Sequence, residues 1–214
     1  MMWVSLEQGK VAYWADILLY LGAVLLLTTL LVARAPPQRQ LSLLLVVAAG
    51  LLCWTLLEYL LHRIVLHALP PFKRWHAMHH RRPAALIGTP ILLSAPLFAT
   101  LFFLLPLWLG DIWLACALSL GVLAGYSVYS LTHHAIHHGR SRSPLLLRLQ
   151  RRHARHHQDA VGGNYGVTSG VWDAIFGSSL PPRVRQHAAS AVSTPASSTV
   201  TRQEAQQVLE GKPR

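Results

Sequence analysis

Four apolar stretches, each about 20 residues or longer, restrict this chain to folds built from membrane-crossing helices. They run over residues 11–33, 41–61, 86–109 and 112–132. A helix rises about 1.5 Å per residue, so about 20 residues cover the roughly 30 Å of hydrocarbon in a bilayer. Inside that hydrocarbon every backbone polar group needs an internal partner, and a helix supplies one within a single segment. Hydrophobic residues make up 52% of the chain and charged residues 13%, a balance expected of a membrane protein and unusual for a soluble domain.

The connections predict how the stretches pair. Arg34-Ala-Pro-Pro-Gln-Arg39-Gln joins the first two, and only Gly110-Asp111 separates the last two, so both pairs read as tight helical hairpins. Pro90, Pro96 and Pro106 predict kinks or a broken helix in the third stretch. Four crossings return the chain to its starting side, so residues 62–85 and everything after 132 share one face. That face carries Arg63, Lys73, Arg74, Arg81, Arg82 and a further run of arginines from Arg140 to Arg155. The positive-inside bias places it in the cytoplasm, with Arg34 and Arg39 in the first hairpin running against the trend.

The formal net charge of +11 is therefore read as topology beside anionic lipid. Nucleic acid is not expected, because no recognition motif or aromatic-rich basic stripe is present. The segment MMWVSLEQGK lacks the basic region and cleavage site of a signal peptide, so the first stretch is expected to remain in the mature protein. Cys53 and Cys116 both fall in apolar runs and form neither a disulfide framework nor a thiolate metal site. From Pro182 onward the chain turns to Ala, Ser, Thr, Val and Gln, which predicts a disordered tail.

The chemistry lies in the histidines. Twelve of the 13 fall in four groups on the predicted cytoplasmic face: His62 and His67; His76, His79 and His80; His133, His134, His137 and His138; and His153, His156 and His157. In HxxHH, residues i, i+3 and i+4 share a helical face, so their imidazoles can converge on one point. Ser143-Pro144 is placed to start a helix that aligns Leu146 and Leu149 with the last group. A helix begun near Pro71 would align Phe72 with His76, His79 and His80. His133 and His137 extend the fourth stretch directly. His62 and His67 are five apart, which a regular helix would not align, so the helix is expected to end or distort there.

One histidine near a membrane surface needs no special explanation; twelve in four spaced clusters do. Imidazole suits zinc, iron, copper and nickel. A structural zinc site closes with about four ligands, so ten or more histidines imply two metals. A carboxylate-bridged di-iron bundle would need several Glu and Glu-x-x-His pairs. Near the clusters stand only Glu58, Asp159 and Asp173. The residues thus point to an all-histidine or nearly all-histidine di-metal centre. Two other classes stay open at this point. A metal transporter could use Tyr126, Ser127, Tyr129, Ser130 and Thr132 as a polar path, and a zinc hydrolase would need neither reductant nor oxygen.

The motifs EYLLHRIVLH (58–67), WHAMHH (75–80), YSLTHHAIHH (129–138), RRHARHH (151–157) and NYGVTSGVWDAIFGS (164–178) resemble, in order, those of the fatty acid hydroxylase superfamily. That superfamily includes sterol desaturases and fatty acid 2-hydroxylases, and the closing segment and small size look most like the latter. The resemblance implies ten metal ligands: His62, His67, His76, His79, His80, His133, His137, His153, His156 and His157. It leaves His134 and His138 as interfacial or outer histidines and His187 as a tail residue. Where the family often has Tyr-Asp, this chain has Tyr129-Ser130, so the carboxylate that the resemblance would place there to support a ligand is replaced by a hydroxyl. Glu58, Asn164 and Asp173 remain as candidates to orient imidazole N–H groups. For Trp172, core packing is the expected role.

The resemblance further implies two iron ions, replaceable by zinc during purification, and O2 as co-substrate. It implies a lipid or fatty-acyl substrate, with hydroxylation at the 2-position of an acyl chain favoured and sterol or carotenoid oxidation as the alternative. No haem-domain motif is seen, so electrons are expected from a separate electron-transfer protein. The fold class expected is all-α: a bundle of four transmembrane helices with a cytoplasmic-face helical cap carrying the histidine-rich di-metal site. Residues 1–40 would form the first helix and hairpin loop, 41–181 the hydroxylase domain and 182–214 the tail. The membrane would be a bacterial inner membrane or the endoplasmic reticulum.

Overall fold

The four apolar stretches fold as helices, and in the computed structural model all but the third run beyond their apolar limits. It describes residues 7–140, 142–158 and 162–181. The expected tail over 182–214, His187 and Asp159 lie outside the described residues. The first span is α1 (Lys10–Arg34). The second is α2 (Gln40–Leu60), led in by a 3-10 turn, Pro37–Arg39, and carried on by a π-helical segment, Leu61–Leu66. A short helix, α3 (Phe72–Arg81), follows. The third span is composite: α4 (Ile91–Phe98), a π-helical segment Ala99–Leu104, and α5 (Leu105–Trp108). Then come α6 (Ile112–His138), α7 (Pro144–Gln158) and the single turn α8 (Val171–Ile175). Among the described residues there is no strand, only one isolated bridge between Glu7 and Ile87. Four of these helical runs are long and apolar enough to cross a membrane.

The third span begins later than its apolarity predicted. Residues 86–89 are not helical, and Pro90, which caps the helix, moves its start to Ile91. The expected disturbance by proline is present: Pro96 lies inside α4 and Pro106 in the first turn of α5, with the wide segment between them. There Ser119 of α6 donates its hydroxyl to the Phe102 carbonyl at 2.8 Å, supplying a partner where the helix departs from α geometry.

The helix α6 is the centre of the bundle. In its apolar window 44% of residues are buried, against 11–17% in the other spans, so the others present most of their apolar surface outward. It packs against α1, α2 and the third span. Contact with α2 is set by small residues. A methyl group added at Gly50 would lie 2.9 Å from the Leu118 carbonyl, and one at Gly121 would collide with the Val47 carbonyl. The two backbones approach as small-residue helix pairs do in lipid. At the end of the bundle away from the histidines, Asp111 caps α6 by accepting from the Leu114 N–H at 2.9 Å. Arg39 pairs with Asp111 at 2.5 and 3.2 Å, so one of the two arginines that ran against the charge bias fastens the two hairpin turns together.

At the other end, α3 and α7 lie beyond the spans. Both start where a proline predicts, with Pro71 capping α3 and Pro144 opening α7. Gln150 of α7 donates to the Ala135, Ile136 and Gly139 carbonyls at 3.3–3.4 Å, which serves acceptors left over where α6 ends.

Candidate metal centre

The site begins with the π-helical segment after α2. Five residues along an α-helix rotate about 500°, leaving His62 and His67 about 140° apart. A π turn, closed by i→i+5 bonds, is wider and brings such a pair to one side. Their ring centroids stand 5.2 Å apart. The predicted distortion is therefore a widened turn that keeps the helix going.

All ten matched histidines come together. Five of them, His62, His67, His76, His80 and His156, present nitrogens within 4.8 Å of one another, and His79, His133, His137 and His153 do the same alongside. His157 adjoins the second group, its Nε2 3.0 Å from that of His153. Within the first group the Nε2 atoms of His62 and His76, of His76 and His80, and of His67 and His156 are 3.0–3.1 Å apart. In the second, His79, His133, His137 and His153 follow one another at 2.9–3.2 Å. His80 and His157 stack at 4.2 Å where the groups meet.

These separations can be compared with a metal's demands. For a metal–imidazole bond of about 2.1 Å, donors at right angles sit about 3.0 Å apart and donors across the ion about 4.2 Å. Protonation agrees. Nδ1 of His62 is 2.5 Å from the Tyr165 carbonyl and Nδ1 of His156 is 2.8 Å from that of Gly163. A carbonyl only accepts, so Nδ1 carries the proton and each Nε2 offers a bare lone pair to the group. Burial holds His67 and the histidines of α3 and α7 neutral, helped in most cases by neighbouring imidazoles. It pushes His67 and His80 down to about 4, His79 to about 3 and His157 to about 2. His76, His153 and His156 are lowered by burial as well. Neutral imidazoles with converging lone pairs are mutually unfavourable unless a cation lies among them. The donor set therefore fits two metal ions.

Among the described residues, Glu58, Asn164 and Asp173 make no hydrogen bond to an imidazole. Each acts one step back, on the segment whose carbonyls do. Glu58 accepts from the Val167 and Thr168 N–H groups at 2.6 and 2.9 Å and from the Thr168 hydroxyl at 2.6 Å. Asp173, fully buried, accepts from the Tyr165 and Gly166 N–H groups, the Ser178 hydroxyl and Arg152, all at 2.8–3.0 Å. Asn164, at φ 52°, accepts from the Leu180 N–H and donates to the Arg152 carbonyl. Sequence reasoning missed Gly163, Tyr165 and Arg152. The first two work through backbone carbonyls, which no residue type advertises, and Arg152 was counted among the basic residues of the membrane face. The positive φ of Gly162 and Gly163, 83° and 136°, is the one signal a Gly-Gly-Asn run could have given.

His134 and His138 stay outside both groups. His134 turns to α1, where its Nδ1 is 3.2 Å from the Tyr13 hydroxyl and its ring meets Trp14 at 4.8 Å. Tyr129 stacks on His133, and Trp172 is held in packing by its N–H to Thr55 and its ring against Phe176. His62, His76, His79 and His133 form one end of a cavity of about 300 Å³ between the spans. Ser130, where a carboxylate was expected, lines its wall.

The fatty acid hydroxylase profile matches residues 47–178. The chain belongs to the fatty acid hydroxylase family. Within the family it is 37% identical over 146 residues to the dihydroceramide fatty acyl 2-hydroxylase FAH2 of Arabidopsis thaliana, covering 62% of this chain and 60% of that protein. It is 33% identical over 165 residues to the ceramide very long chain fatty acid hydroxylase SCS7 of Saccharomyces cerevisiae, covering 68% and 40%. The solved structure of full-length scs7p, in which only the hydroxylase domain is visible, superposes with a TM-score of 0.68 at 27% identity. That superposition covers 84% of this chain and 70% of the other. The chain thus spans about 60% or less of these two relatives' length. All ten histidines of the two groups fall inside the family match, whereas α1 precedes it.

Proposed function

We propose that this chain hydroxylates the acyl chain of a membrane lipid, at the carbon next to the carbonyl, using O2 and externally supplied electrons. One observation carries the reading: four of the clustered histidines close the end of a cavity that runs between membrane-spanning helices. Family membership and the fatty acyl 2-hydroxylase and ceramide hydroxylase names of the relatives support the reaction type.

In this reading His62, His67, His76, His80 and His156 would hold one iron and His79, His133, His137, His153 and His157 the other. Bound there, the pair would supply the activation of dioxygen. The overall change inserts one oxygen atom into a C–H bond and releases the other as water, with two electrons and two protons from outside the chain. A separate electron-transfer protein would deliver the electrons. The protein's own residues position and exclude. The carbonyls of Gly163 and Tyr165 fix the orientation of His156 and His62. The apolar walls keep water from the acyl chain and align it with the histidine end. Residues 41–181 would be the hydroxylase domain, completed by α1, which walls the cavity through Tyr13 and Tyr20. The arginines beside α3 and α7 would set the histidine end on the cytoplasmic side.

The test is lipid mass spectrometry on cells with and without the gene, followed by purified, iron-loaded protein given a reductant and isotopically labelled O2. Labelled oxygen should appear at the 2-position of an acyl chain. If no lipid takes up label under those conditions, the hydroxylase reading fails.

A further inference from the structure

A second cavity of about 270 Å³ lies deeper in the bundle, walled by α1, α4, the π-helical segment Ala99–Leu104 and α6. It shares two wall residues, Tyr20 and Phe98, with the cavity that ends at the histidines. At the boundary Tyr20, Phe98, Trp54 and Tyr126 form an aromatic cluster, with Phe98 5.0 Å from Tyr126 and 5.8 Å from both Tyr20 and Trp54. Tyr20 is latched by a hydroxyl–hydroxyl bond of 2.6 Å to Ser94. Beyond the cluster the lining is almost wholly apolar, including Ala23, Leu27, Phe103 and Leu123.

The helix α6 runs beside both spaces and serves as a ruler. His133 and Tyr126 line the first cavity and Ser119 the second. Each interval is seven residues, about 10 Å of helix. An extended hydrocarbon chain advances about 1.25 Å per carbon, from 1.5 Å bonds at near-tetrahedral angles. The first cavity therefore takes about eight carbons past the histidines, and both together about sixteen.

We propose that the second cavity receives the distal half of a long acyl chain and that Phe98, with the latched Tyr20, is the gate that sets the chain length accepted. This rests on the acyl-hydroxylation reading. A short chain fits in front of the aromatic cluster. A long one has to displace the Phe98 ring, which sits at the junction of α4 and the wide segment that begins at Ala99. Its distal carbons then replace lipid contacts with the apolar walls behind.

The experiment fills the second cavity without touching the first. Ala23→Phe does so from α1 and Ala99→Phe from the opposite wall, so that one can stand in if the other fails to fold. Phe98→Ala joins the two spaces. Two readouts are taken on the metal-loaded full chain: hydroxylation of eight-carbon and sixteen-carbon acyl substrates, and the thermal shift given by octanoate and palmitate. Filling the cavity should lower sixteen-carbon product by about ten-fold or more, the equivalent of losing burial of about two methylenes, and leave eight-carbon product unchanged. The palmitate shift should shrink while the octanoate shift stays. Phe98→Ala should raise the sixteen-carbon to eight-carbon ratio. Equal effects on both lengths, or none, would overturn the gate. If the wild type hydroxylates neither substrate, the palmitate and octanoate shifts alone decide the gate, and the reaction reading is judged separately by the labelled-oxygen test on lipids.

Discussion

The Tyr165 carbonyl meets Nδ1 of His62 at 2.5 Å, joining the end of the second span to the segment that closes the domain 103 residues later. Tyr165 is itself fixed because its N–H, with that of Gly166, is held by Asp173. Asp173→Ala should therefore weaken metal retention without removing any imidazole. Loss of such outer support typically costs about 10–100-fold in affinity. Chelator competition followed by elemental analysis measures it. Retention equal to wild type in a folded variant would show that the carbonyl alone positions His62.

Two groups of five imidazoles should hold close to two metals per chain. Zinc is expected in place of iron after overexpression, because imidazole sites generally bind it more tightly than ferrous iron. Stripping the metal should lower the melting temperature, since a ligand bound only by the folded state stabilises it. Elemental analysis returning one metal per folded chain would contradict the grouping.

His137→Ala should abolish hydroxylation and lower bound metal, since its Nε2 stands within 3.2 Å of two others in its group. His134→Ala should leave metal content intact and reduce activity only modestly, because that ring faces Tyr13 and Trp14. Bound metal and hydroxylated lipid are compared at matched expression. The reverse pattern would mean that the motif works one residue out of register.

Gly121→Leu should destabilise the bundle by about 2 kcal/mol or more, because its side chain would enter the α2 backbone. Gly22→Ala, on a face with nothing within 4 Å of the added carbon, should be neutral. Thermal unfolding in detergent compares the two. Equal losses would argue against close contact of α2 and α6.

Single cysteines near Arg81 and near Pro37 should label from opposite sides of the membrane in sealed cells. Labelling from the same side would break the arrangement of α1 and α2 as a hairpin.

What the sequence made legible was whatever is local. Apolar length gave the four spans, and prolines gave the starts of α3 and α7 and the broken third span. Spacing put the histidines of each HxxHH on one face. The division between the groups was not legible, because adjacent residues on a helix differ by about 100° and the partner decides which way counts. His79 and His80 go to different groups, and so do His156 and His157. The π turn at 61–66 was read only as a distortion, because the residues that widen a helix by one position carry no pattern of their own. Gly50 and Gly121 looked like ordinary glycines in apolar runs, since each is explained by a backbone 71 residues away in the chain.

That splitting has a consequence for assembly. Helix α3 sends His76 and His80 one way and His79 the other, while α7 sends His156 one way and His153 and His157 the other. Neither site belongs to one helix, and neither can form without drawing both helices into place. The first ion to arrive would immobilise most of the scaffold of the second, so that much of the ordering entropy of the pair is spent once. Filling should then be positively cooperative, with singly loaded chains scarce at substoichiometric metal, and the protein passing between empty and full with little in between.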